Sequence, residues 1–215
     1  MGNASHMPAP WQEVTLPSSP SERDPFTDNM AEAWITSRQN ISPKRLVEPG
    51  PDVSQLQQIF RSAASAPDHG LVKPWRFVIV PQDKRALLAE VFALALVDRD
   101  PGATLEQIES AREKAHRAPA LMLVVAQLGA CEPPIPALER MVSVGAAVQN
   151  MLLMAHGQGF GSSLTSGQAM QSTRMRQLFG LAAGEEAVCF LNIGTVSKRK
   201  ARRLHPEVQN FVSTL

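Results

Sequence analysis

The sequence predicts an α+β domain, and three runs of residues carry that reading. Trp75 to Val80, after Pro74, is aromatic and β-branched, the composition of a strand buried in a sheet. Leu121-Met122-Leu123-Val124-Val125-Ala126 is a short, continuous apolar run, typical of a strand covered on both faces. Glu139 to Gln158 leaves little polar face, as a buried helix does. Helix and strand signals alternate without an internal repeat, which fits α+β.

Taken in order, residues 1–27 are rich in Pro, Ser and Asn and lack periodicity, so a mobile arm is expected there. Within it Ser5-His6-Met7 has the look of a cloning scar covering residues 1–6, and residues 28–215 are expected to form the folded domain. Met30-Ala31-Glu32-Ala33-Trp34-Ile35 predicts a helix that ends near Arg38-Gln39-Asn40, with Trp34 and Ile35 toward a core. Asp52 caps a second helix through Ala64, in which Leu56, Ile59 and Phe60 recur at helical spacing. Ala66-Pro67 closes it, because proline disfavours helical geometry in the residue before it. Asp68-His69-Gly70 then forms a turn, with Gly70 free to take a positive φ. The turn sets His69 and Lys73 at the mouth of the sheet, ahead of the Trp75 strand.

Residues 83–97 carry an apolar stripe of Leu87, Leu88, Val91, Phe92 and Leu96, which predicts a helix. Thr104-x-x-Gln107 is a capping box for a charged, exposed helix ending near Arg117. After the Leu121 strand, Cys131 to Pro136 is a proline-rich loop. In the long apolar helix, Gly145-Ala146-Ala147 permits close helix approach, which suits a dimer core. Gly157-x-Gly159-x-Gly161 follows a helix rather than a strand, so it is not a dinucleotide fingerprint. It ends the helix and leads into a strand or loop through Ser162 to Gly167. Ser172 to Phe179 predicts a further helix stopped by Gly180, and Val188 to Ile193 a third strand leading into Gly194-Thr195.

Composition narrows the function classes. The 215-residue chain has 44% hydrophobic and 19% charged residues, which is globular, and its net charge of +1 gives no bulk attraction to nucleic acid or acidic membranes. The basic run Lys198-Arg199-Lys200-x-Arg202-Arg203 has no interleaved aromatics, which also counts against nucleic acid. No apolar run approaches the roughly 20 residues that span a bilayer, and no signal-peptide pattern opens the chain. Cys131 and Cys189 lack metal or disulfide-scaffold spacing, so a cytoplasmic location is expected. The chain has no Gly-x-Ser-x-Gly elbow and no Walker loop, and His69, His116, His156 and His205 have no metal-ligand spacing. His156 reads as a packed histidine. An enzyme without such groups borrows its chemistry from an organic cofactor.

Ala66-Pro67-Asp68-His69-x-x-x-x-Pro74-Trp75-Arg76-Phe77, Ser37-Arg38-Gln39-Asn40, the Gly145-to-Gly167 region and Gly194-Thr195 together resemble the nitroreductase family of FMN flavoproteins, most closely its small single-domain branch. The resemblance covers Ser37 to Leu215. It implies a central, mainly antiparallel or mixed sheet flanked by helices, in an intertwined homodimer with the flavin at the subunit interface. It also implies two-electron transfer from NADH or NADPH through flavin N5 to a nitroaromatic, quinone or similar small-molecule acceptor, in ping-pong fashion. By similarity Arg38, Gln39 and Asn40 form a first FMN-binding segment. Ser65 and His69 form a second, and Leu164, Thr165 and Ser166 a third. The second and third come from different subunits.

The residue types agree with that cofactor. A phosphate suits the guanidinium of Arg38 and the tail cations Lys200 and Arg202, and the amides of Gln39 and Asn40 both donate and accept, as a uracil-like edge requires. Arg38 has a structural alternative at a helix C-terminus, where it would meet the last carbonyls and the dipole. No side chain is assigned as catalytic acid or base, and none as a metal ligand. Three departures from the branch stand out: Gln39-Asn40 in place of Arg-Ser, Leu164-Thr165 in place of Trp-Arg, and Ser65 in place of an arginine. They point to a different substrate pocket. Two other classes remain open from sequence: a flavin-binding carrier or redox sensor, and a helix-rich interaction domain acting through its basic tail.

Overall fold

The computed structural model describes residues 25–199, 201 and 205–214, and side chains from residue 29 onward within that range. The chain divides into two compact units, Met1–Ser37 and Arg38–Leu215. In the first, helix α1 spans Pro25–Ser37 and so ends before Arg38. Trp34 and Ile35, expected to face a core, are exposed.

The second unit is built on five strands, β1 (Leu46–Val47), β2 (Trp75–Ile79), β3 (Ala120–Gln127), β4 (Gly161–Thr165) and β5 (Glu185–Val196). Their order is β1-β5-β3-β2, with β4 also on β5, and every ladder is antiparallel. The 12-residue β5 is therefore shared: β3 runs along one edge, while β4 and β1 divide the other. Helices α2 (Val53–Ala63), α3 (Arg85–Arg99), α4 (Leu105–Glu113), α5 (Ala137–Gly157) and α6 (Thr173–Leu178) flank the sheet. Asp52 and Thr104 both close capping boxes, with Gln55 and Gln107.

Residues of β3 alternate between two cores. Met122, Val124 and Ala126 pack with Ile59, Val144 and Met151 from α2 and α5. Leu121, Leu123 and Val125 pack with Leu88 of α3, Met175 of α6 and Phe190. This two-sided burial is why the run Leu121–Ala126 has no polar alternation.

Two details differ from expectation, and a third settles an alternative. The Trp75 strand is an edge strand, half-buried and with Ile79 exposed, because nothing pairs beyond it among the described residues. Leu87 is exposed on α3, outside the stripe centred on buried Leu88. Strand β4 forms from Gly161-Ser162-Ser163, a sequence with little β-propensity. Its small residues are required by crowding, since a Cβ on Gly161 would lie 2.5 Å from Val196 and 2.9 Å from Leu46.

The turn before β2 is tighter than one glycine explains. Gly70 has φ 71° as expected, and Leu71 and Lys73 also adopt positive φ of 51° and 46°. Such conformations cost on the order of 1–3 kcal/mol each for non-glycine residues. One compensating bond runs from the Lys73 backbone N–H to Asp68 Oδ2 at 2.8 Å. No helix among the described residues is long and apolar enough to cross a membrane.

Candidate active site

Strand β4 joins two of the three segments. At its start Asn40 bridges Ser162 in parallel register, and the Ile41 N–H donates to the Ser162 carbonyl at 3.0 Å. At its end lie Leu164, Thr165 and then Ser166. Arg38 therefore stands just before a backbone contact with the strand that ends in the third segment. Its Nε is buried and has no hydrogen-bond partner among the described residues. A buried donor left unsatisfied costs about 1–3 kcal/mol, more when charged. A second cation is close by: burial, and then the positive charges of Arg199 and Arg38, hold the His156 imidazole below its usual range. Lys200 and Arg202 lie outside the described residues.

Beyond the other end of β4 a cavity of about 500 Å³ opens between α3, α4 and the segment Thr165–Met170. That size falls within the roughly 300–1,000 Å³ of small-molecule sites. Phe92, Leu96, Leu121 and Phe190 form its apolar wall, and Thr165 and Ser166 its β4 side. Asn192 of β5, 2% exposed, also lines it and donates from Nδ2 to Thr165 Oγ1 at 3.0 Å. That bond fixes the Thr165 side chain against the sheet. Pro43, shortly after the first segment, completes the connection between the two ends.

The second segment lies elsewhere. Ser65 is exposed just past α2, with its N–H on the Ser62 carbonyl at 3.2 Å. His69 is exposed too, its Nδ1 2.8 Å from Glu139 Oε2 at the start of α5. Neither lines the cavity, and Arg38, Gln39, Asn40 and Leu164 do not line it either; the first segment meets the third only through the Asn40 and Ile41 backbone contacts with β4. Within one chain, the first and third segments are thus brought together and the second is not.

Residues 42–195 match the Nitroreductase family. A Haemophilus influenzae protein named as a candidate NAD(P)H nitroreductase is 32% identical over 182 residues, covering 84% of this chain and 97% of that protein. The chain belongs to the nitroreductase family. As a member it is an oxidoreductase. Solved structures carry the same fold. A nitroreductase-like family protein from Bacillus cereus superimposes with TM-score 0.73 at 17% identity, covering 85% of this chain and 94% of that one. A variant of an FMN and NADPH-dependent nitroreductase from Sphigopyxis sp. strain HMH gives 0.66 at 16% identity, covering 86% and 98%.

In this nitroreductase-family chain the sequence reading passed over Arg99, Lys114, Arg117 and Asn192, all of which line the cavity. Lys114 had a legible signal. Gln107, Ser110, Ala111 and Lys114 recur at helical spacing, and that face turns to the cavity. Asn192, inside the apolar run Val188–Ile193, was the polar residue in a buried strand that required a partner.

Proposed function

We propose that the chain is an FMN-dependent NAD(P)H oxidoreductase that reduces nitroaromatic, quinone or similar small acceptors in alternating half-reactions, as a homodimer. One observation carries the reading. Arg38, whose Nε is buried without a partner among the described residues, stands two residues before the Asn40 bridge to a strand whose far end opens on a cavity with an aromatic wall. FMN has both needs in one molecule, a dianionic phosphate and a flat ring. The residues fit it, and the Sphigopyxis enzyme of the same fold is FMN and NADPH-dependent. When bound, FMN supplies two-electron transfer between a nicotinamide and an acceptor.

The chain's own residues bind, orient and exclude water. Arg38 and Arg199 neutralise the phosphate, as charge-assisted donors do, and the proposal keeps Lys200 and Arg202 as further donors. The amides of Gln39 and Asn40 meet the polar edge of the ring. Leu164, Thr165 and Ser166 border the ring, with Thr165 held by Asn192. Phe92, Leu121 and Phe190 keep the slot dry, which strengthens every polar contact inside it.

Ser65 and His69 act across a two-fold axis, on the cofactor held by the other subunit. Support for that dimer comes from the outer face of α5, where Leu138 and Val142 are 83% and 71% exposed and Gly145 has open space around it. Unpaired apolar side chains on an otherwise buried helix are what an interface covers.

The test is an absorbance spectrum of the purified protein after adding FMN and desalting, then with NADH and NADPH under anaerobic conditions. Retained flavin bands that bleach with either nucleotide support the reading. Bands that stay unbleached favour a carrier, and failure to retain flavin rejects the cofactor.

A further inference from the structure

The cavity has a charge pattern that a flavin ring does not explain. Arg99, Lys114 and Arg117 all line it, and no acidic side chain does. Several carboxylates on the surrounding helices have partners of their own, and only Glu113 pairs with a lining cation. Asp98, next to Arg99 in sequence, is bound by Arg174 at 2.6 and 3.0 Å. Glu90 and Glu109 are both bound by Arg112, and Glu113 lies 3.6 Å from Arg117. Arg99 and Lys114 have no ion pair or side-chain hydrogen bond among the described residues. Two open cations therefore stand at a cavity whose wall is Phe92, Leu96, Leu121 and Phe190. An anion in the cavity would be attracted by both.

We propose that this cavity recognises an anionic group on the electron acceptor, with Arg99 and Lys114 as its ligands, so that the preferred acceptors are aromatic acids rather than neutral arenes. The inference rests on the oxidoreductase reading above and adds the substrate class to it. The aromatic body enters the slot that also holds the flavin ring, bounded by that apolar wall. The carboxylate, or a sulfonate of the same charge, faces the guanidinium of Arg99, whose planar fork suits a two-oxygen anion.

The test uses the FMN-loaded, full-length protein with NADPH and a matched pair of acceptors, 4-nitrobenzoate and nitrobenzene. The expected kcat/KM for the acid exceeds that for the neutral arene at least tenfold, and the ratio falls as salt is raised, because the cations are exposed. Arg99→Gln is expected to bring the ratio to within about threefold of one, and Arg99→Lys to recover part of the preference. A wild-type ratio at or below one overturns the proposal, as does a ratio that Arg99→Gln leaves unchanged.

Nicotinamide dinucleotides are also anionic, so flavin bleaching by NADPH is followed separately in the stopped flow. If Arg99→Gln slows bleaching and leaves the acceptor ratio intact, the cations serve the donor and the proposal fails. A flavin that never bleaches rejects the oxidoreductase reading itself, whereas a bleaching flavin without acid preference rejects only the present inference.

Discussion

Arg140, which is buried, and Arg38, half-buried with its Nε out of water, have surroundings that differ in kind. Arg140, near the Glu185 end of β5, is 5% exposed and donates to the carbonyls of Gln127, Leu128, Gly129 and Ile135. Close by, Arg76 binds Glu185 through two bonds of 2.6 and 2.7 Å, and Gln127 adds a third at 2.7 Å. No polar atom of that cluster is buried without a partner. Among the described residues, Arg38 has its Nε buried with none, and the side chains of Arg99 and Lys114 border a cavity with none. The difference separates cations that hold the fold from cations kept ready for something else. A fold does not gain from an unsatisfied buried donor, so its persistence points to a ligand.

That contrast can be broken at either region. Arg140→Ala leaves four carbonyls without their donor, and the expected loss is about 3–5 kcal/mol in urea unfolding. A loss under 1 kcal/mol would mean that water replaces the guanidinium without penalty.

Glu185→Gln comes next, at about 2–3 kcal/mol. Its hydrogen bond from Arg76, ahead of the Ala182 N–H and Gln127, holds the Glu185 carboxyl down to about 2, from an ordinary 4.5. A depressed carboxylate adds stability that is complete above about pH 4.5 and lost as pH falls toward 2. The wild type should therefore outlast Glu185→Gln at pH 7 and match it near pH 2. Parallel curves at both pH values would remove the carboxylate from the account.

At the other region, Arg38→Ala should hold or raise the urea midpoint and weaken FMN binding by about 1.5–3 kcal/mol, roughly 10–150-fold. The reverse result, a large stability loss with unchanged flavin affinity, would make Arg38 a structural arginine like Arg140. The smallest effect belongs to Arg112→Ala. Its bonds to Glu90 and Glu109 sit on exposed helix faces, where ion pairs contribute little, so no shift in the urea midpoint is expected.

The fold was readable where one force dominates. The two-sided burial of β3 appears directly as an unbroken apolar run, and the capping boxes at Asp52 and Thr104 are local chemistry with fixed spacing. Strand β4 reads from sequence as a strand or a loop, because what decides it is crowding of Gly161 by Val196 and Leu46, residues distant in sequence. The exposure of Trp34 and Ile35 was misread for a similar reason, since an apolar pair in a helix does not say what covers it. For the site, Arg38–Asn40 and Leu164–Ser166 stood out through resemblance and lie on one strand's two ends. The cations of the cavity did not, because a charged helix face looks the same whether it meets water or lines a pocket.

Strand β5 carries Glu185 at its start and Asn192 seven residues on, within a single ladder to β3. Amide exchange should treat that strand as one cooperative unit, opening only with global unfolding. The amides of Leu191 and Ile193, under the site, would then be protected as long as those of Ala187 and Cys189, on either side of the bulge at Val188, with or without FMN. A library of cavity variants can therefore be sorted by slow exchange alone, which separates chains that have lost their ligand from chains that have lost their fold.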